Sequence, residues 1–509
     1  MHRNRPWGPR LKPFTTASAL ALLLAGCAVG PEYQTPDIEL PESWPAHITL
    51  EQQARDDWHR WWQRFEDPAL NRLVERASED NLELAIQLAR IREARAQLGF
   101  ADAERFPTVG YQAEANRERT PGAALPIDVQ PVQELLPIDV QSVQELLTST
   151  NNVQEMLTST NNQYSLAASL EYEIDLWGRL ANQRAAAMAA LQESLFARDA
   201  AELGVIGDVV TTYVSLKSAE AQQALMEETL AAYQETYRLQ ALRFEHGDIS
   251  ELELRQAEAE WRNLQAELPS LKQQVETLRG ALGTLVGMSP DELLTTLDTG
   301  TSRLDDLAQP VGIPAVMPSA MLQRRPDIRS AEAALIAATA QIGVAEANRL
   351  PSLNLSSFLG TAAASTSDLF SDVARTWGVG ASVMGPLFDF GRSQSGVESA
   401  EALAEQAEAQ YRLTVLTAFN EVRDALYSYD FSERRLAAID EQLEAVARTR
   451  ELAVLMYDQG QVSQLERLDA ERNLLSARLA QAGARREQLA ATATLFKALG
   501  GGWQETPVY

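Results

Sequence analysis

The chain is short of the residues on which most chemistry depends. Its 509 residues include one cysteine, Cys27, which rules out a disulfide within the chain and any cysteine-rich metal site. Among the four histidines, His2, His47, His59 and His246, no pair has metal-ligand spacing. Aspartate and glutamate are abundant, yet nothing sets one beside an activated nucleophile. Gly500-Gly501-Gly502 follows a helical pattern and reads as a cap or tail, not a phosphate loop. These shortages point away from an enzyme and call for no cofactor. Positive charge is scarce too. With 44 Lys and Arg against 71 Asp and Glu, the net charge of −27 argues against a nucleic-acid partner. Past the N-terminal apolar run there is no stretch of about eighteen uncharged apolar residues, so a transmembrane helix is excluded and any spanning falls to strands.

At the N-terminus, Arg3, Arg5, Arg10 and Lys12 precede an apolar run from Ala17 to Ala25 that ends Leu24-Ala25-Gly26-Cys27. Residues 1–26 thus read as a lipoprotein signal peptide and Cys27 as the acylated mature N-terminus. An ordinary cleaved signal or a short buried helix is the plainer alternative. Ala28, where an aspartate would favour retention at the inner membrane, suits onward sorting to the outer membrane. Residues 27–68 carry Pro31, Pro36, Pro41 and Pro45, which preclude a helix there. An extended segment is expected, packed down by Trp44, Trp58, Trp61 and Trp62.

The rest of the chain is a duplication. Gly178 and Gly247 are 69 residues apart, and so are Gly391 and Gly460. Each interval is rich in Ala, Gln, Glu, Arg and Leu and free of proline, predicting uninterrupted helices over 179–246 and 392–459, each about 100 Å long. Ser250 and Ser463 follow the glycine turns and start return helices over 250–286 and 463–499. Leading helices are expected over 69–104 and 327–349. The first repeat is then 69–286 and the second 327–499, joined by a linker and collar, 287–326, and followed by a tail, 500–509. Leu465, Leu468, Arg472, Leu475 and Leu479 recur at heptad spacing, as in helices packed side by side.

Between leading and long helix, each copy holds a strand hairpin. Tyr164, Leu166, Ala168, Leu170, Tyr172 and Ile174 alternate with Ser165, Ala167, Ser169, Glu171, Glu173 and Asp175. Val109, Tyr111, Ala113 and Ala115 alternate with Gly110, Gln112, Glu114 and Asn116. The second hairpin, within 350–387, sets Leu353 and Leu355 against Ser352, Asn354 and Ser356, and Trp377, Val379, Ala381 and Val383 against Gly378, Gly380, Ser382 and Met384. Four strands cannot enclose a polar interior, and an open edge is not tolerated in a bilayer. If the strands lie in a membrane, the chain must oligomerise. The first hairpin carries a long loop, 119–162, containing PIDVQPVQELL and PIDVQSVQELL in tandem, then LTSTNNVQEM and LTSTNNQY. Slippage duplication in a tolerant loop accounts for this 125–163 tract, which would lie opposite the helices.

Further segments carry a family resemblance: Leu322-Gln323-Arg324-Arg325-Pro326-Asp327-Ile328-Arg329 followed by Ala331-Glu332, Ile342-Gly343-Val344-Ala345, Leu350-Pro351-Ser352-Leu353, and Phe496-Lys497-Ala498-Leu499-Gly500-Gly501-Gly502-Trp503. With the duplicated turns and hairpins, they make the chain resemble a TolC-type outer membrane factor of the NodT-like lipoprotein branch. The resemblance covers the mature chain except the 125–163 tract. It implies a mixed fold, in which a barrel of duplicated long α-helical hairpins continues into a trimeric 12-stranded outer membrane β-barrel with four strands per chain. It also implies a homotrimer anchored by Cys27 in outer membrane lipid with its helices in the periplasm. A periplasmic adaptor and a proton-driven inner membrane transporter are the expected partners, and passive efflux of small molecules the expected function. The outlet of a type I protein secretion system is the alternative within the class. A non-conducting periplasmic spacer, outside the class, would have no use for the strands.

The resemblance also implies site residues. Acidic side chains six and nine positions past the second tip glycine ring the narrowed end of the duct in the family; these are Glu466 and Asp469 here, with Glu253 the six-position match in the first copy and Gln256 at the ninth. Ser250-x-x-Glu253 and Ser463-x-x-Glu466 equally fit capping boxes. Tyr457 matches a family tyrosine that braces the tips, or packs helices together, but the arginine expected two residues past the glycine is Val462. That substitution leaves apolar contact through Val462 as the alternative means of closing. The tips, with Gly247, Asp248, Ser250, Gly460 and Ser463, are the expected adaptor-docking points.

Overall fold

The computed structural model describes residues 29–41, 44, 60–120, 159–289, 291–292, 299–310 and 324–501. Cys27 and the signal, Trp58, most of the 125–163 tract, much of the 287–326 linker and most of the tail lie outside the described residues. Along the chain run α1 (Pro68–Asp80), α2 (Leu82–Ala103), β1 (Thr108–Thr120), β2 (Ser159–Ile174), α3 (Arg179–Glu245), α4 (Glu251–Leu285), α5 (Pro326–Ala347), β3 (Ser352–Ala363), β4 (Arg375–Met384), α6 (Arg392–Asp458) and α7 (Gln464–Ala498). The long helices α3 and α6 have 67 residues each, and the return helices α4 and α7 have 35 each. No described helix is long and apolar enough to cross a membrane.

Two expectations need correction. The first leading helix is broken at Asn81, whose side chain accepts from the amides of Glu83 and Leu84 and so caps a new helix. The long loop is shorter than 119–162, because β1 runs to Thr120 and β2 begins at Ser159. Ser159 to Tyr164 of the last copy of the repetitive tract are therefore strand, with Asn161 and Asn162 paired to Glu118 and Arg117.

The chain divides into two compact units. The first comprises Met1–Pro31, Gly99–Arg184 and Ala340–Ala400, and contains the sheet. Its strands run antiparallel in the order β1-β2-β3-β4, leaving β1 and β4 as open edges. The register puts Tyr111 opposite Ala168, Ala168 opposite Leu359 and Leu359 opposite Trp377. One face thus collects Val109, Tyr111, Leu166, Leu355, Leu359, Trp377, Val379 and Val383, all exposed. The other face carries Gln112, Glu114, Ser165, Ser169, Glu171, Asn354 and Ser356. At the foot of the sheet, Arg179 grips Glu173 with two hydrogen bonds of 2.9 and 2.7 Å, and Asp175 accepts from the amides of Leu180 and Ala181 at the start of α3. Gly343 explains one motif glycine: a Cβ there would lie 2.4 Å from Asn182 Nδ2, while that amide donates to the Val29 carbonyl at 2.9 Å.

The second unit comprises Glu32–Leu98, Ala185–Thr339 and Glu401–Tyr509. Its main core buries Trp61, Phe65, Val209, Val210, Tyr213, Leu216, Leu282, Leu304, Leu307, Leu489 and Phe496. Trp61 stacks on Phe496 at 5.6 Å, and Trp44 stacks on Phe419 at 5.0 Å, so these two tryptophans do pack the N-terminal segment down. Arg325, from the Leu322–Arg329 motif, binds Asp327, the Glu421 carboxylate at 2.6 Å and the Ala498 carbonyl at 2.9 Å. It ties the start of α5 to α6 and satisfies one of the orphan carbonyls that end α7.

Candidate functional site

Both helical hairpins turn by the same device. Gly247 and Gly460 adopt φ of +78° and +72°, the left-handed region that glycine enters freely. The Gly247 and Asp248 amides donate to Phe244 and Arg243, and the Gly460 and Gln461 amides to Tyr457 and Met456, at 2.8–2.9 Å. This pair of bonds is a Schellman closure, which ends α3 and α6 and satisfies their last carbonyls. A Cβ on either glycine would meet nothing within 4 Å, so conformation and not crowding selects glycine.

The return helices then start with full capping boxes. The Ser250 hydroxyl accepts from the Glu253 amide while the Glu253 carboxylate takes the Ser250 amide at 2.8 Å. Ser463 and Glu466 repeat the arrangement, with the carboxylate 2.7 Å from the Ser463 amide. That amide, then the Ser463 hydroxyl, hold the Glu466 carboxyl below its ordinary range. Both glutamates therefore cap their own helices.

Asp469 is not a bare carboxylate. It is half exposed and ion-paired to Arg472, one turn on, whose other nitrogen reaches Glu260 of α4 at 3.3 Å. This acid-arginine-acid group links the two return helices. The Asp469–Arg472 half was visible as an i,i+3 pair, but Glu260 was not, because it comes from the other copy.

Tyr457 is braced, although not from Val462, which is half-buried. Its hydroxyl accepts from Arg243 Nη1 at 3.1 Å and Gln240 Nε2 at 3.3 Å, and Arg467 lies 5.2 Å above its ring. The arginine missing beyond the glycine is thus replaced by two others, one from the first copy. Only the parallel endings of α3 and α6, one step off the 213-residue offset, could have suggested Arg243. Nearby, Leu468, Leu475 and Leu479 pack inward, whereas Leu465 is 51% exposed and Arg472 is exposed too, so the buried stripe begins three residues later than the heptad spacing predicts and is interrupted at Arg472.

The family model described as outer membrane efflux protein matches residues 73–288 and 317–501. The solvent efflux pump outer membrane protein SrpC of Pseudomonas putida is 31% identical over 491 residues, covering 95% of this chain and 97% of that protein. The antibiotic efflux pump outer membrane protein ArpC of Pseudomonas putida is 30% identical over 505 residues, covering 97% and 96%. The solved structure of the outer-membrane channel OprN superposes with a TM-score of 0.80 at 30% identity, covering 94% of this chain and all of that one.

Proposed function

The chain belongs to the outer membrane efflux protein family and is an outer membrane channel component of a tripartite efflux system, and from that premise we propose how its own residues build the duct. It is a transport channel and not an enzyme, working with a periplasmic adaptor and an inner membrane transporter. In our reading three copies close a 12-stranded barrel, with the exposed apolar face toward lipid and the glutamate-bearing face toward the lumen. Cys27 carries the lipid anchor, and the transporter is proton-driven. The observation that carries the reading is the sheet: one exposed apolar face, one acidic polar face and two open edges. An apolar face of this size is at home in hydrocarbon, and the free edges of β1 and β4 are satisfied there only by another copy.

The two glycine turns are the adaptor-docking tips. Glu253, Glu466 and Asp469 face the lumen just inside them, with Arg472 partly offsetting Asp469, and Tyr457 bound to Arg243 is the contact that opens. Native mass measurement of the detergent-purified protein, followed by conductance in planar bilayers, tests the reading. An acylated trimer that conducts is expected; a monomer, or a trimer without conductance, overturns it.

A further inference from the structure

The sheet sorts its charges by face more strictly than a lipid-facing sheet requires. Arg117 and Arg119 of β1 share the parity of Val109 and Tyr111, and Arg375 of β4 shares that of Trp377 and Val379. The register joins these sets: Val109 opposes Leu170, Leu170 opposes Ser357 and Ser357 opposes Val379. All three arginines of the sheet therefore lie on its apolar face. Its four glutamates, Glu114, Glu118, Glu171 and Glu173, all lie on the other.

Height along the strands gives a second regularity. Arg117 is nine residues beyond Thr108, where β1 begins, and Arg375 is nine residues before Met384, where β4 ends. Nine residues span about 30 Å of strand, or about 23 Å of height at a tilt of about 40°. The apolar belt of an outer membrane barrel is about 25 Å tall. Arg117 and Arg375 thus stand at the far border of the belt with Arg119 just beyond, where an arginine on the lipid side costs little. Arg375 is 73% exposed and pairs with Asp372 at 2.9 Å. Arg117 and Arg119 are exposed and have no ion pair among the described residues.

We propose that Arg117, Arg119 and Arg375 form a basic collar that binds the phosphate groups of an anionic lipid in the outer leaflet. The guanidinium fork presents paired donors that match phosphate oxygens, and its weak hydration suits the edge of a bilayer. The acidic lumen face repels the same groups, so the sheet discriminates between its two sides. Asp372 competes for Arg375 and is displaced when phosphate binds. The proposal rests on the reading that the apolar face meets lipid, and the test separates the two.

Full-length protein in neutral detergent is titrated with lipid A, a bisphosphorylated glycolipid, and with the same lipid stripped of phosphate, and binding is read by native mass spectrometry. Binding of the phosphorylated form, weakened by salt and lowered tenfold or more in R117Q/R119Q/R375Q, supports the collar. R117K/R119K/R375K should keep most of it and E114Q/E118Q all of it. Equal binding of the stripped lipid, or an unchanged glutamine variant, overturns it. If the glutamine variant does not fold, salt-independent binding by the wild type and the lysine variant does so instead. Quenching by brominated acyl chains, taken as the difference between wild type and Trp377→Phe, reports whether the face meets lipid. Quenching without phosphate dependence sinks the collar alone, whereas no quenching sinks the lipid-facing reading as well.

Discussion

The two long helices are copies in length, in turn and in spacing, yet they live in different surroundings. α3 is buried on almost every side through its middle, where Val209, Val210, Tyr213, Val214 and Leu216 are all 0% exposed. α6 buries one stripe, Tyr411, Val415, Ala418, Val422, Ala425 and Leu426, and leaves a second apolar stripe in the open, Leu413, Leu416, Phe431, Leu452 and Leu455. Leu203 and Leu416 occupy the same place in the repeat, 213 residues apart, and are 7% and 52% exposed. One helix is a centre and its twin is an edge. A second apolar stripe without a partner among the described residues is the surface that a neighbouring copy in the proposed trimer would cover.

The comparison breaks most visibly at these twin leucines. Leu416→Glu should abolish the proposed trimer while the single chain keeps its helix content, read by native mass spectrometry and circular dichroism together. Leu203→Ala should do the opposite, leaving assembly intact and costing roughly 2–5 kcal/mol of stability, read as a lowered denaturant midpoint. If Leu416→Glu leaves the trimer whole, the second stripe faces something other than a neighbouring copy.

At the tips the copies differ in charge. Arg472→Gln should unmask Glu260 and Asp469 and strengthen cation preference, and Asp469→Asn should weaken it, both read from reversal potentials in asymmetric potassium chloride. A reversal potential unmoved by Asp469→Asn would place that side chain away from the lumen.

The caps, by contrast, are alike. Ser250→Ala and Ser463→Ala should each lower local stability by roughly 0.5–2 kcal/mol, seen as faster amide exchange in the first turns of α4 and α7. Unequal effects would show that one tip is held by more than its cap.

The smallest effect concerns pH. Asp199 on α3 is 2% exposed, and burial pushes its carboxyl from 3.8 up to about 6 against the pull of Arg198. Its counterpart on α6, Arg412, is exposed beside Glu408. Because the folded state holds the Asp199 proton more tightly, this site favours folding as pH falls through about 6 and disfavours it above. Asp199→Asn should raise thermal stability at pH 7.5 and flatten its slope between pH 6 and 4.

What the chain disclosed in advance followed from local rules. Proline-free stretches, glycine turns with serine beyond them, and strict alternation mark helices, caps and strand faces because each depends on neighbours a few positions away. The Asn81 break was hidden for the opposite reason: an asparagine within a helical pattern is ordinary until its side chain turns back on the next amides. Arg243 on Tyr457 and Glu260 on Arg472 needed the two copies brought side by side, which no local pattern states. The burial of α3 against the exposure of α6 was equally illegible, since both helices read as Ala- and Leu-rich throughout.

The pairing of β2 with β3 has a consequence for biogenesis. It joins Ile174 to Leu353 and Tyr164 to Ala363, residues from opposite halves of the chain. Each hairpin closes over a shorter connection than this central ladder, which must wait for the loop from Ile174 to Ser352 to close, the entropically slowest step. Until that ladder closes, two sticky hairpins stand in water with four bare edges. Such a species aggregates unless it is escorted. The maturation of this channel should therefore be limited not by helix formation but by the lifetime of half-built sheets, and holdase chaperones should raise its yield more than slower synthesis does.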